Sequence, residues 1–310
     1  MPDPKRVAFV GLGAMGWGMA GNLAAAARDG KIVSPVLVWN RTTARSEEHS
    51  VVFGTSCVYE LSHLAQADVV ITCLPTSVEV TTVAEQLAPT LNSGSLWIDC
   101  TSGDPNTTKG TARKLKNFGV TMIDCPVSGG PHGASSGELT AMVGGDDYHC
   151  ARPIISLFAK KKIVDCGPVG AGHAVKAMNN CLNAAHLIVA GEALLALTKY
   201  GVQPEAALNA INASSGRSLQ TEVRIPTEVL TRKFNYGFKL GLMLKDVRTA
   251  VNGLGHDNDN HQDTCSSLLP IVKNIMEKAV DEQGYNADYT RVIRTLELEA
   301  GAELNAAIAT

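Results

Sequence analysis

No CxxC pair occurs in this sequence, although it holds eight cysteines, at positions 57, 73, 100, 125, 150, 166, 181 and 265. None of them stands at metal-ligand spacing from the eight histidines. That excludes the familiar zinc frameworks, so no metal site is expected, and reduced thiols in an intracellular compartment are the simplest reading. Runs of five lysines or arginines are missing, and the formal net charge is only -3, which argues against a nucleic-acid-binding surface. There is no internal repeat and no low-complexity tract. MPDPKRVAFVG at the start leaves no room for a cationic region, an apolar stretch and a cleavage site, so a cytoplasmic protein is expected. The apolar run 181–197 approaches membrane-spanning length. It contains His186, Glu192 and several alanines, which makes a buried helix the better reading than a lipid-facing one, and no membrane association is expected.

What the chain does have is 310 residues with 45% hydrophobic content, enough to bury a sizeable core and more in keeping with two domains than one. VAFV (7–10), VLVW (36–39), DVVIT (68–72), SLWID (95–99) and VTMID (120–124) are short apolar runs that read as buried strands. Helical candidates lie between them at 14–28, 42–49, 78–91 and 105–117, the last opened by Asp104 as an N-cap before a proline. This alternation implies a parallel sheet covered by helices on both faces. Beyond Gly170 long apolar-periodic stretches take over, at 171–200, 204–214, 239–254, 265–283 and 288–307. The expected fold is therefore an α/β Rossmann-type parallel-sheet domain, residues 1–168, followed by an all-α C-terminal domain, residues 169–310. A long interdomain helix joins the two, and GPVGAG at 167–172 marks the boundary.

GLGAMG at 11–16 follows the first strand directly and opens the first helix. In that context Gly11 permits the tight turn, Gly13 lets a pyrophosphate approach the backbone, and Gly16 lets the helix pack on the sheet, with Ala14 and Met15 carried along the same edge. An NAD site usually ends its second strand with a carboxylate for the ribose 2′-hydroxyl. Here the residues are Asn40, Arg41 and Thr42. A guanidinium pairs with a 2′-phosphate where a carboxylate would repel it, so NADP is favoured over NAD. The alternative is that Arg41 is a solvated charge opening the next helix, with an NAD ribose beside Asn40. CLPTSVEV at 73–80 and DCTSGDP at 99–105 lie at carboxyl ends of strands, where an open parallel sheet binds its ligand. Leu74, Pro75 and Thr101 are candidates to line the coenzyme there, unless these are ordinary connections.

A second glycine loop, DCPVSGGPHGASSGELTAMVGG at 124–145, concentrates small residues in one connection. Glycines leave successive amides uncovered, a concavity suited to an anion, and with Ser128 beside Gly129 and Gly130 this reads as a carboxylate pocket. A flexible hairpin between two strands is the competing reading. In GAGHAVKAMNN at 170–180, a helix starting near Gly172 would place Lys176, Asn180 and Asn183 at i, i+4 and i+7 on one face. A buried ammonium is costly, so a lysine there is either paired or used, unless it merely lies solvated at the first turns. Hydride transfer from an alcohol supplies a use, because the hydroxyl proton must leave to a base.

GLGAMG, DCPVSGG at 124–130, GAGHAVKAMNN and KDVRTA at 245–250, in this order over nearly the whole chain, resemble the β-hydroxyacid dehydrogenase family. The resemblance implies Lys176 as the catalytic lysine and Asn180 as its substrate-holding partner. It implies Ser128, Gly129 and Gly130 as the carboxylate grip, and Lys245 as a lysine closing near the nicotinamide. The implied activity interconverts a small β-hydroxyacid, 3-hydroxyisobutyrate-like, and its semialdehyde with NADP or NAD. Close alternatives are a glyoxylate, succinic semialdehyde or tartronate semialdehyde reductase. A non-catalytic dinucleotide-binding interaction protein is the alternative of another class. NRT at 40–42 resembles the NADP-dependent reductases of the family, whereas many of its 3-hydroxyisobutyrate enzymes carry an acidic residue there. The family's paired helical domains, together with the apolar excess of the 171–200 helix, imply a homodimer or homotetramer.

Overall fold

A computed structural model of the chain describes residues 5–254 and 267–306. It divides into two compact units, Met1–Lys176 and Ala177–Thr310.

In the first unit strands and helices alternate. They run β1 (Val7–Val10), α1 (Gly16–Arg28), β2 (Leu37–Trp39), α2 (Thr43–Phe53), β3 (Ser56–Cys57), β4 (Val69–Thr72), α3 (Ser77–Leu87), β5 (Leu96–Asp99), α4 (Pro105–Lys116) and β6 (Thr121–Asp124). The six strands pair in parallel in the order β3-β2-β1-β4-β5-β6, so the chain reverses its direction of travel across the sheet between β1 and β4. An open sheet of this order binds ligands at that reversal, outside the carboxyl ends of the strands. The central strands β1, β4, β5 and β6 are largely buried on both faces, whereas the edge strand β3 is half-buried. Val7 and Phe9 join Ile71, Ile98 and Ile123 on one side, while Ala8 and Val10 join Val70, Trp97 and Met122 on the other. Two-sided burial is why these strands read as unbroken apolar runs.

The sheet then changes hand. After β6 come β7 (Val127–Ser128), α5 (Gly130–Ser136), β8 (Thr140–Gly144), α6 (Tyr148–Ile155) and β9 (Lys162–Gly167). β8 runs antiparallel to β6 and β7 and parallel to β9. The second glycine loop is thus a short strand and a one-to-two-turn helix rather than a plain hairpin. Local chemistry sets several helix starts. Thr76 and Glu79 form a reciprocal capping box on α3, and Asp104 Oδ1 accepts the Thr107 N–H at 2.7 Å ahead of Pro105 in α4. Both devices satisfy backbone donors that the first turn leaves without carbonyl partners.

α7 (Ala171–Tyr200) runs 30 residues from the end of the first unit through the second. The rest of the second unit comprises α8 (Pro204–Asn212), a π-helix over Gln220–Val229, α9 (Leu240–Leu254), α10 (Leu268–Gln283) and α11 (Val292–Ala300). Its core sets Cys181, Leu187 and Leu194 of α7 against Met243 and Val247 of α9, Met276 of α10 and Ile293 of α11. Among its described residues the only strand-like pairing is the bridge between Lys239 and Asp288. The π-helix, which contains Pro226, was not anticipated from the sequence. The last helix ends at Ala300, with Gly301 in the left-handed region at φ 61°, short of the expected limit; position 307 lies outside the described residues. α7 is the one helix among the described residues long and apolar enough to cross a membrane by length and composition alone.

Candidate active site

The first glycine loop is built for a close ligand. Gly11 adopts φ +100° and donates its N–H to the Trp39 carbonyl at the end of β2 at 3.0 Å. A side chain at Gly16 would run into the Gly11 carbonyl, whereas one at Gly13 would meet nothing within 4 Å. Gly13 and Ala14 are exposed, and Met15 is half-buried. The first turn of α1 has no acidic residue and no side-chain cap, so its amides and the positive end of the helix dipole are open to an anion. These features fit a pyrophosphate.

Asn40 Oδ1 accepts the Leu12 N–H at 3.0 Å, and its Nδ2 donates to the Thr42 carbonyl at 3.0 Å. Its amide therefore braces the loop that would hold the dinucleotide. Arg41 and Thr42 lie exposed beside it. Sequence reading missed a second cation at this corner: Arg45 lays its guanidinium 3.8 Å from the centroid of Trp17 and donates from Nε to the Leu12 carbonyl at 3.1 Å. Its i+3 partner Glu48 sits 3.1 Å away. The charge of Arg41 is felt across the loop. Burial pushes the Glu79 carboxyl up, but hydrogen bonds from Thr76 and the positive Arg41 hold it below the usual carboxylate range.

The loops after β4 and β5 are tied together at their tips. Leu74 donates its N–H to Thr101 Oγ1 at 3.0 Å, and Thr101 donates its own to Asp99 Oδ1 at 3.1 Å. Thr72 Oγ1 donates to the same carboxylate oxygen at 2.9 Å. Pro75 is exposed next to Leu74, and Thr101 is buried. Ser128 is half-buried at the end of β7. Gly129 and Gly130 follow at φ +145° and +67°, conformations that glycine adopts without steric cost, and they open α5. The two glycine loops meet through residues that the sequence did not single out. Gly18 of α1 leaves no room for a Cβ, which would come within 2.6 Å of the Ser135 nitrogen, and Asn22 Nδ2 donates to the Gly18 and Ala134 carbonyls at 2.9 Å each.

Lys176 is 9% exposed, on the second turn of α7. The start of that helix is moored to the carboxyl end of the sheet. Asp124, the last residue of β6, accepts the N–H groups of Gly170 at 2.6 Å and His173 at 2.8 Å. The His173 ring sets Nδ1 2.8 Å from Thr108 Oγ1 of α4, and its Nε2 lies 3.8 Å from Asp99 Oδ2. The lysine thus begins three residues from groups that also order the Leu74 and Thr101 loops. One turn on, Asn180 is buried and donates from Nδ2 to Asp246 Oδ2 at 2.6 Å. Lys245 Nζ pairs with the other oxygen of Asp246 at 2.9 Å. Asn183, the third residue of the stripe, accepts from Gln220 Nε2 of the π-helix. No cluster of three or more metal-ligating side chains occurs among the described residues.

The family model described as "NAD binding domain of 6-phosphogluconate dehydrogenase" matches residues 6–167, and "NAD-binding of NADP-dependent 3-hydroxyisobutyrate dehydrogenase" matches residues 170–296. The chain belongs to the β-hydroxyacid dehydrogenase family. Relatives in this family include a probable mitochondrial 3-hydroxyisobutyrate dehydrogenase of Dictyostelium discoideum, 33% identical over 80% of this chain and 78% of that protein. The mitochondrial 3-hydroxyisobutyrate dehydrogenase of Mus musculus is 31% identical over 96% of this chain and 89% of its own length. A solved structure of the Mycobacterium tuberculosis 3-hydroxyisobutyrate dehydrogenase with L-serine superposes with a TM-score of 0.83 at 28% identity, covering 94% of this chain and 99% of that one. As a β-hydroxyacid dehydrogenase this chain is an NAD(P)-dependent oxidoreductase.

Proposed function

We propose that this dehydrogenase interconverts a small, 3-hydroxyisobutyrate-like β-hydroxyacid and its semialdehyde, with Lys176 as the acid/base and NADP as the preferred coenzyme. The observation that carries the reading is a lysine at 9% exposure on a helix whose first turn is fastened to the carboxyl end of β6. The coenzyme, when bound, accepts or supplies the hydride at the alcohol carbon. Lys176 takes the hydroxyl proton as the carbonyl forms and returns it to the oxygen in the reductive direction. Ser128 and the amides of Gly129 and Gly130 grip the substrate carboxylate, and Asn180, oriented by Asp246, holds the substrate near the lysine. Lys245, paired with Asp246, contributes positive charge. Leu74, Pro75 and Thr101 flank the coenzyme.

Lys176→Ala should lose turnover by about 10³-fold or more while binding NADPH normally, a loss in the range expected for removing a positioned general acid/base. Retention of most of the activity would reassign the proton transfer. For the coenzyme, the reading rests on Arg41 at the end of β2 with Arg45 nearby and no carboxylate at the 2′-position. Arg41→Ala should weaken NADPH by about tenfold or more and NADH by less than about twofold, the difference reporting a lost charge-assisted contact to the phosphate. Equal effects on the two coenzymes would remove the clamp. The same phosphate-reading corner favours a glyoxylate, succinic semialdehyde or tartronate semialdehyde reductase as the second reading, and a screen of these aldehydes against the semialdehyde of 3-hydroxyisobutyrate separates them.

A further inference from the structure

The first turn of α7 is held by a buried carboxylate to which the chemistry above gives no proton or hydride. Asp124 is fully buried and spends both oxygens on backbone donors, the Gly170 and His173 N–H groups. Two glycines make room for it. A Cβ at Gly144 would come within 2.5 Å of Oδ1, and one at Gly172 within 2.8 Å of Oδ2. The titratable and charged groups around it are His173 from α7, Asp99 from β5 and Cys166 from β9. Lys109 of α4 lies along Gly170. Burial pushes the Asp124 carboxyl up, and His173 with the two N–H bonds opposes that shift without cancelling it. A cap serving the fold alone needs only a neutral hydroxyl or amide oxygen, which would spare the fold a buried charge.

We propose that Asp124 is a positioning residue for catalysis: by clamping the first turn of α7 it fixes the rotation of that helix about its axis and so the placement of Lys176. The inference rests on Lys176 being the acid/base. Two bonds from one rigid strand end to N–H groups three residues apart fix both the azimuth and the height of the turn. The lysine follows one turn later, where a small helix rotation swings a long side chain through a much larger arc. A misplacement of about 1 Å at a reacting group is enough to cost on the order of a hundredfold in rate.

The test is a double-mutant cycle. Asp124→Asn keeps the volume but turns an NH2 group toward one of the two backbone donors. With kcat expressed per NADPH-binding site, it should fall by about tenfold or more while the Kd for NADPH and the substrate KM stay within about twofold. The decisive arm is Asp124→Asn combined with Lys176→Ala, which should be no slower than Lys176→Ala alone to within about twofold, because a positioning effect has nothing left to act on. Multiplying effects in the double variant, an unchanged kcat in Asp124→Asn, or NADPH affinity falling in step with kcat would each overturn the proposal. If the asparagine chain does not fold, Asp124→Ser, small enough for the space between the two glycines and still an acceptor, replaces it in the cycle. Activity retained in Lys176→Ala alone would show instead that the lysine assignment is wrong, a failure visible before the double variant is made.

Discussion

At the scale of single residues, the side chains that carry chemistry and those that hold them in place differ in what a sequence can show. His49 belongs to the second kind. Its ring is buried, with Nδ1 2.9 Å from Thr55 Oγ1 and Nε2 3.1 Å from the Trp17 carbonyl, between the rings of Trp17 and Phe53. Burial lowers its proton affinity, with Arg45 adding to the shift and the bond to Trp17 partly opposing it. A base with a depressed folded pKa binds fewer protons folded than unfolded. Its contribution to stability is therefore complete above its unfolded pKa of about 6.5 and is lost as pH falls through the lower folded value. Thermal unfolding should accordingly shift downward between pH 7 and pH 5 in the wild-type chain and shift less in His49→Gln. Parallel pH slopes for the two proteins would contradict this. The buried polar face of Lys176 and Asn180 was legible because polar residues at i and i+4 interrupt an apolar run, a local pattern. Asp124, His173, Gly18, Asn22 and Arg45 were not, because each acts on a partner between 28 and 117 positions away, and nothing local marks such a residue.

Secondary-structure elements obey the same division. The buried parallel strands and the 30-residue α7 stood out through composition and length, as did the Asp104–Pro105 helix start. β3, only two residues long, carries too little pattern to be seen. The π-helix over Gln220–Val229 was hidden because a proline inside it reads as a break. The polar stripe of α7 has an apolar counterpart that bears on assembly. Val175, Leu182 and Val189 stand 44%, 47% and 61% exposed at intervals of seven residues, which keeps them on one side of the helix. Aliphatic side chains in such a row are best covered by a second copy, in line with the proposed homodimer or homotetramer. Light scattering at micromolar concentration should give at least about twice the 32.7 kDa of one chain. A monomer would leave the stripe without a role in assembly.

For the molecule as a whole, a sheet whose strand order reverses between β1 and β4 gathers the loops after β1, β2, β4 and β5 at one edge, and Asp124 at the end of β6 ties the lysine helix to that edge. The first unit thereby holds a glycine turn with an uncapped helix start, a cationic corner and a buried amine, while the second carries Asn180, Asp246 and Lys245 as a bonded cluster. Family membership fixes the reaction class, and the assignment of the proton to Lys176 is the claim on which the substrate reading and the role of Asp124 both depend. A crystal structure of the chain with NADP+ and a small β-hydroxyacid tests that claim most directly. The account predicts Lys176 Nζ within hydrogen-bond reach of the substrate hydroxyl, about 2.6–3.2 Å, with the alcohol carbon against the nicotinamide. An amine turned away from the substrate oxygen, with another titratable group or only solvent in its place, would contradict it.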